Sequence, residues 1–275
     1  MALRINTNLA ALNAHRLLTQ TDNVMGKSIE RLSSGLRINK AKDDVAGLSI
    51  ANNLRMEVRG LQVAQLNVTQ GNALLQMAEG GATQIESIVE RLKELATSAA
   101  SSNVDQTGRD GLQAEASKLL DEIDRIARDT KYGTTNLLSG SLSMTFQIGS
   151  ASVDGEDTVS VSTSYGLLSS SVGLSTINLA SLASAQVAIT SINASLVSVN
   201  FVLGQIGAAQ SRFDYASANL AVSIENISAS QSAIRDVDMA AEMVTFTKNQ
   251  ILLQAGTAML AQANMMPQNV LSLLK

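Results

Sequence analysis

Apolar residues recur at helical spacing from one end of the chain to the other. Leu18, Met25 and Leu32 fall seven apart, with Ile29 and Leu36 on the same stripe, so residues 1–34 predict an amphipathic helix. The pattern breaks in RLSSGLRINKAKDDVAGLSIA, residues 31–51, where Ser33, Ser34 and Gly35 interrupt it. Asp43 or Asp44 can cap a new helix beginning at Val45, because a short carboxylate side chain accepts from free amides at a helix start. Leu54, Leu61, Val68 and Leu75 then carry the stripe to about residue 100. SSNVDQTGRDG (101–111) predicts a loop, and LQAEASKLLDEIDRIARDT a further helix over about 112–130. Between 134 and 178, MTFQIGS and DTVSVSTS alternate in strand fashion, with a turn signal at Asp154-Gly155. That predicts one small β element, within about 140–176.

Residues 180–234 hold the most regular pattern. One heptad series runs Leu182, Ile189, Leu196, Leu203, Gln210, Ser217, Ile224, Gln231; a second, three residues on, runs Ala185, Ile192, Val199, Ile206, Phe213, Leu220, Ile227, Ile234. This predicts a coiled-coil helix on the order of 80 Å long, with Ile189, Leu196, Leu203, Ile206, Phe213 and Leu220 in its seam. The only partner of comparable length is 45–100, so the two halves of the chain should pair antiparallel. A final helix over about 237–264 places Leu252, Met259 and Met266 at heptad spacing, and apolar residues continue to Leu274. A terminus usually frays, so this tail implies a partner. The predicted fold is mainly α, with long antiparallel coiled-coil helices and a small β-hairpin region.

Composition sharpens this outline. Of 275 residues, 16% are charged and 3% aromatic, with a single proline, Pro267, and no cysteine. Disulfide and thiolate chemistry are thereby excluded. No charge occurs between Asp157 and Arg212; helix positions outside the seam are Ser, Asn, Ala and Gln there, which suits burial on more than one side. A net charge of −4 speaks against a nucleic-acid partner. The N-terminus lacks the apolar core of a secretory signal, and no uninterrupted run of 18 apolar residues predicts a membrane span.

Candidate chemistry is sparse. His15 is the only histidine and sits in a helical pattern. Asp43-Asp44, Asp121-Glu122-Asp124 and Asp236–Asp238 are the densest acids, and helix caps or solvated faces account for them. Gly80-Gly81 lies inside a helix and predicts a kink, while the methionines suit plastic packing. No catalytic, cofactor or metal residues are predicted.

RLSSGLRINKAKDDVAGLSIA (31–51), IRDVDMAAEMVTFTKNQIL (234–252) and QAGTAMLAQANMMPQNVLSLL (254–274) resemble the bacterial flagellins, and the resemblance extends over essentially the whole chain. Met265-Met266 departs from the family's usual Gln plus one apolar residue, and the variable outer domains are missing. The resemblance implies a non-enzymatic subunit that self-assembles into the helical flagellar filament; the alternative is a hook–filament junction protein. It implies that 1–44 and 235–275 form inner-tube helices, with assembly residues Leu18, Met25, Leu32, Leu252, Met259, Met266 and Leu274. Residues 31–51 become the spoke, with Gly35 and Gly47 letting the backbone turn and Arg31, Arg37, Lys40, Asp43 and Asp44 making polar contacts. Residues 45–234 become the outer-tube domain. Implied partners are further copies, the flagellar cap and hook-associated proteins, an export chaperone and a vertebrate Toll-like receptor, whose surface would include Arg91, Leu95 and Glu115. The implied location is extracellular, reached by the flagellar export channel with an uncleaved N-terminus.

Overall fold

A computed structural model describes residues 7–150, 157–163 and 166–273. Five helices carry the fold: α1 (Leu9–Ser34), α2 (Val45–Ala99), α3 (Gln106–Asp129), α4 (Leu182–Arg235) and α5 (Met239–Leu273). Among the described residues, four strands lie between α3 and α4: β1 (Lys131–Tyr132), β2 (Thr135–Asn136), β3 (Leu142–Gln147) and β4 (Thr158–Thr163). The chain divides into two compact units, residues 57–225 and a terminal unit made of 1–56 with 226–275. Both boundaries fall inside helices, α2 and α4.

The helix ends follow from side-chain capping. Asn8 Oδ1 accepts from the Ala11 amide at 3.1 Å, and α1 stops where Gly35 turns left-handed at φ 72° with its N–H on Arg31 O. Asp44 Oδ1 takes the Gly47 amide at 2.8 Å and starts α2. Asp238 Oδ1 takes the Ala240 and Ala241 amides at 2.9 and 3.1 Å and starts α5. Helix α3 begins six residues earlier than the sequence pattern indicates because Asp105 caps it through the Gly108 amide. Helix α5 continues beyond Pro267, which removes one amide donor but has a helix-compatible φ.

In unit 57–225, α2 and α4 run antiparallel: Asn72 Nδ2 donates to Asp214 Oδ1, and Gln210 Nε2 to Glu79 Oε2. Phe213 is fully buried and meets Phe146 of β3 edge-on, with ring centroids 5.2 Å apart. Strands β3 and β4 pair antiparallel from Leu142↔Thr163 to Gln147↔Thr158; the Asp154-Gly155 turn lies outside the described residues. A second hairpin, β1–β2, pairs Lys131 with Asn136 around Gly133 at φ 62°. The sequence pattern predicted a single β element; two-residue strands are too short to show alternation.

Three expectations are corrected. Gly80-Gly81 makes no break, since α2 runs unbroken; a Cβ at Gly81 would meet Leu138 Cδ1 at 2.8 Å, so this glycine serves close packing. Gly47 is likewise helical rather than a turn, and a Cβ there would meet Ile38 Cδ1 at 2.9 Å. Finally, α4 is long and apolar enough to cross a membrane by length and composition, with a mean hydropathy of 1.6 in its most apolar 18-residue window. Counting only unbroken apolar runs missed it because Ser and Asn are interspersed. Its buried stripe is that of a packed coiled-coil helix.

Terminal helix pair, clasp and candidate assembly surfaces

Helices α1 and α5 pair antiparallel. Their half-buried positions follow a strict 3–4 spacing: Ala11, Ala14, Leu18, Thr21, Met25 and then buried Ser28 on α1, against Phe246, Asn249, Leu253, Gly256, Leu260 and Ala263 on α5. Asn8 Nδ2 donates to Ala263 O at 2.8 Å at one end of the pair, and Arg31 Nη1 meets Glu242 Oε2 at 3.5 Å at the other. Between them, Leu18 fills the space over Gly256, where a Cβ would stand 2.8 Å from Leu18 Cδ1.

Leu18, Met25 and Leu32 are thus half-buried on the α1 side. Leu252, Met259 and Met266 lie on a different face of α5 and remain 47%, 64% and 56% exposed. The heptad read from the sequence is therefore not the row that meets α1; the row Phe246, Leu253 and Leu260 is. The interleaved Asn249 and Gly256 hid that row, although its 3–4 spacing was visible. Met243, Val244, Ile251 and Leu252 line a groove of about 520 Å³ on the open face. Leu274 lies outside the described residues.

The predicted spoke residues come together around a short clasp. Leu36 and Asp236 form an antiparallel bridge; the Arg37 amide donates to Arg235 O at 2.7 Å and the Val237 amide to Gly35 O at 3.0 Å. Arg37 Nη2 adds a bond to Ile234 O at 2.6 Å. In the sequence, Arg37 belongs to the spoke by resemblance, Ile234 to the α4 heptad series and Asp236–Asp238 to a weak acidic run, with nothing to join them. Lys40 Nζ pairs with Glu30 Oε1 at 2.5 Å, and its amide donates to Asp43 Oδ2 at 3.0 Å. These bonds set the charges: the Glu30 partner holds the Lys40 ammonium above its ordinary pKa. The Lys40 amide, helped by Lys42 and Arg31, holds the Asp43 carboxyl below its ordinary value. Ile38, 1% exposed, anchors the segment.

On α4, Ile206, Phe213 and Leu220 are buried, while Ile189, Leu196 and Leu203 are half-buried. The buried stripe is the second heptad series joined by Ala188, Ser195, Val202 and Ala209. Small residues made this companion row look polar. The opposite face stays open at Val187, Val197 and Tyr215.

Arg91 and Glu115 lie on the surface, joined at 3.0 Å, and Arg91 also holds Glu94 at 2.7 Å. Leu95 does not join them. It is 3% exposed, because one helical turn from an outward arginine the α2 stripe has already turned to the core. No group of three or more metal-ligating side chains occurs among the described residues.

Long antiparallel helices, a terminal pair with small residues in its seam, and apolar rows left open on α4 and α5 define a long-helix coiled-coil protein with uncovered apolar surface. Residues 5–143 match the bacterial flagellin N-terminal helical region, and residues 188–274 the C-terminal helical region. The chain is 39% identical over 283 residues to the flagellar filament 30.7 kDa core protein of Treponema maltophilum, covering 98% of this chain and 99% of that one. Identity to the flagellin of Bacillus subtilis (strain 168) is 38% over 304 residues, covering 99% and 100%. The chain belongs to the bacterial flagellin family, in a short form without outer domains. A flagellar hook-associated protein structure from Vibrio parahaemolyticus shares the fold at 12% identity, with TM-score 0.59 over 70% of this chain and all of that one.

Proposed function

We propose that the chain is the structural subunit of a bacterial flagellar filament, which lies outside the cell. The observation that carries this beyond family membership is the α5 face of Leu252, Met259 and Met266, left open when α1 has already covered the other side of the helix. Apolar rows of this kind are covered by a partner, and in a homopolymer the partner is another copy. The terminal pair serves as the inner-tube element, 57–225 as the outer-tube element, and residues 31–51 as the spoke. Flagellar cap and hook-associated proteins meet the same polymer, and an export chaperone covers the apolar tail before assembly. A chain without cysteine suits export in an unfolded state. Deleting 255–275 is expected to leave a monomer whose 57–225 unit is folded by circular dichroism but which adds to no filament seed. Polymer growth by that truncation would remove the tail from the assembly machinery.

Recognition by a vertebrate Toll-like receptor is proposed for the Arg91–Glu115 surface, with Leu95 supporting it from beneath. Arg91→Ala is expected to lower receptor-reporter activation at least tenfold while leaving the helix content unchanged. An unaltered reporter response would place the receptor elsewhere.

A further inference from the structure

The seam between α1 and α5 specifies a face but not an alignment. The polar members in its middle bond within their own helices: Thr21 Oγ1 donates to Leu17 O at 3.0 Å, and Asn249 Nδ2 to Thr245 O at 2.9 Å. At the end away from the clasp Asn8 reaches across, to Ala263 O, and a backbone carbonyl one heptad away offers the same acceptor after a slip. The apolar members Phe246, Leu253 and Leu260 repeat every seven residues, so sliding α5 by one heptad returns the same row to the same face. Leu18 over Gly256 is a single packing preference: a Cβ there would stand 2.8 Å from Leu18 Cδ1, the far end of a flexible side chain, so Ala263, one heptad on, is accommodated only if that chain end shifts.

The clasp end differs. Glu242 is the one charged residue buried among the described residues, at 9% exposure. A buried carboxylate demands a partner; the first turn of α5 lends it dipole stabilisation, and Arg31 supplies the opposite charge. Seven residues of slip would strand Glu242 and break both backbone bonds between Gly35–Arg37 and Arg235–Val237.

We infer that the Arg31–Glu242 pair and the adjoining backbone clasp form a register lock, which selects one of several heptad-related alignments of α1 on α5. Arg31 and Glu242 are positioning residues in this device. Its consequence for assembly rests on the filament role proposed above: a single register gives every subunit the same offset between the open rows of its two terminal helices.

The chain has no cysteine, so engineered pairs report alignment without background. In the full-length parent, L18C/G256C is expected to oxidise to a disulfide and L18C/N249C is not. The decisive variant duplicates residues 243–249 directly after Glu242, a full heptad that keeps every face. If the lock sets the register, L18C now bridges to a cysteine at the original Asn249, and the bridge to the original Gly256 is lost. If the seam sets it, the Gly256 bridge persists and the lock is overturned; loss of both bridges also overturns it, since the lock then fails to hold the pair. In the same duplicated background, E242R is expected to abolish the shifted bridge and R31E/E242R to restore it. Equal bridging in all three overturns the role of the ion pair. Each chain is assayed both free and on filament seeds. A parent that bridges correctly but never polymerises contradicts the filament role and leaves the lock standing.

Discussion

Phe213 packs closely in the 57–225 core, where Gly71 of α2 leaves room for its ring: a Cβ on Gly71 would stand 2.9 Å from Phe213 Cε2 and 3.3 Å from Phe146 Cδ1. Phe213→Ala empties a fully buried site and is expected to cost about 3–5 kcal/mol, read as a lower urea midpoint at unchanged m-value. Gly71→Ala gains about 1 kcal/mol of helix propensity but overpacks two rings at a cost of roughly 1–3 kcal/mol, so it is expected to destabilise. Titration of the spoke follows from its partners. Asp43, with its pKa lowered, contributes stability above the ordinary carboxylate value that is lost as pH falls through the folded one. Lys40, with its pKa raised, contributes stability below the ordinary lysine value that is lost as pH rises through the folded one. Hydrogen-exchange protection at the Lys40 amide is therefore expected to weaken on the acid limb, and D43N to flatten that limb. A D43N chain with the parental acid limb would contradict the assignment.

At the scale of the element, α4 shows how far a heptad pattern reads. Length and period were legible within two residues at each end, because 54 residues of uninterrupted spacing leave little freedom. The phase was not. Two apolar series three residues apart both resemble a seam, and the buried partner row is built from Ala188, Ser195, Val202 and Ala209, half of it alanine. Ile206→Ala is accordingly expected to cost about 2–5 kcal/mol and the half-buried Leu203→Ala distinctly less, measured by denaturant unfolding; equal costs would contradict the phase. Uncharged Ser and Asn outside the seam suit burial, and Ser195 bears this out: its Oγ lies fully buried, 2.5 Å from Val172 O. The segment it holds places Leu167, Leu174 and Leu179 in the core without any periodic signature, so it was not legible as core beforehand. The Arg91–Leu95 pair shows the same limit: spacing put both on one side of α2, and the width of the buried stripe decided that only Arg91 faces water.

For the whole molecule, the sequence carried the helix order and the family likeness, because those rest on long-range repetition and on motifs of some twenty residues. The clasp was not legible: it joins Gly35–Arg37 to Ile234–Val237 through backbone atoms almost two hundred residues apart, and backbone bonding leaves no mark on side-chain pattern. Apolar side chains stay open on both terminal helices, Leu12, Leu17 and Ile29 on α1 and Leu252, Met259 and Met266 on α5, so the filament role stands on polymerisation. The most direct test is to add purified monomer to short filament fragments, watching growth by electron microscopy and helix content by circular dichroism. The filament role predicts long uniform filaments with helix content rising as subunits add. A chain that stays monomeric on competent seeds, with helix content unchanged, would contradict it.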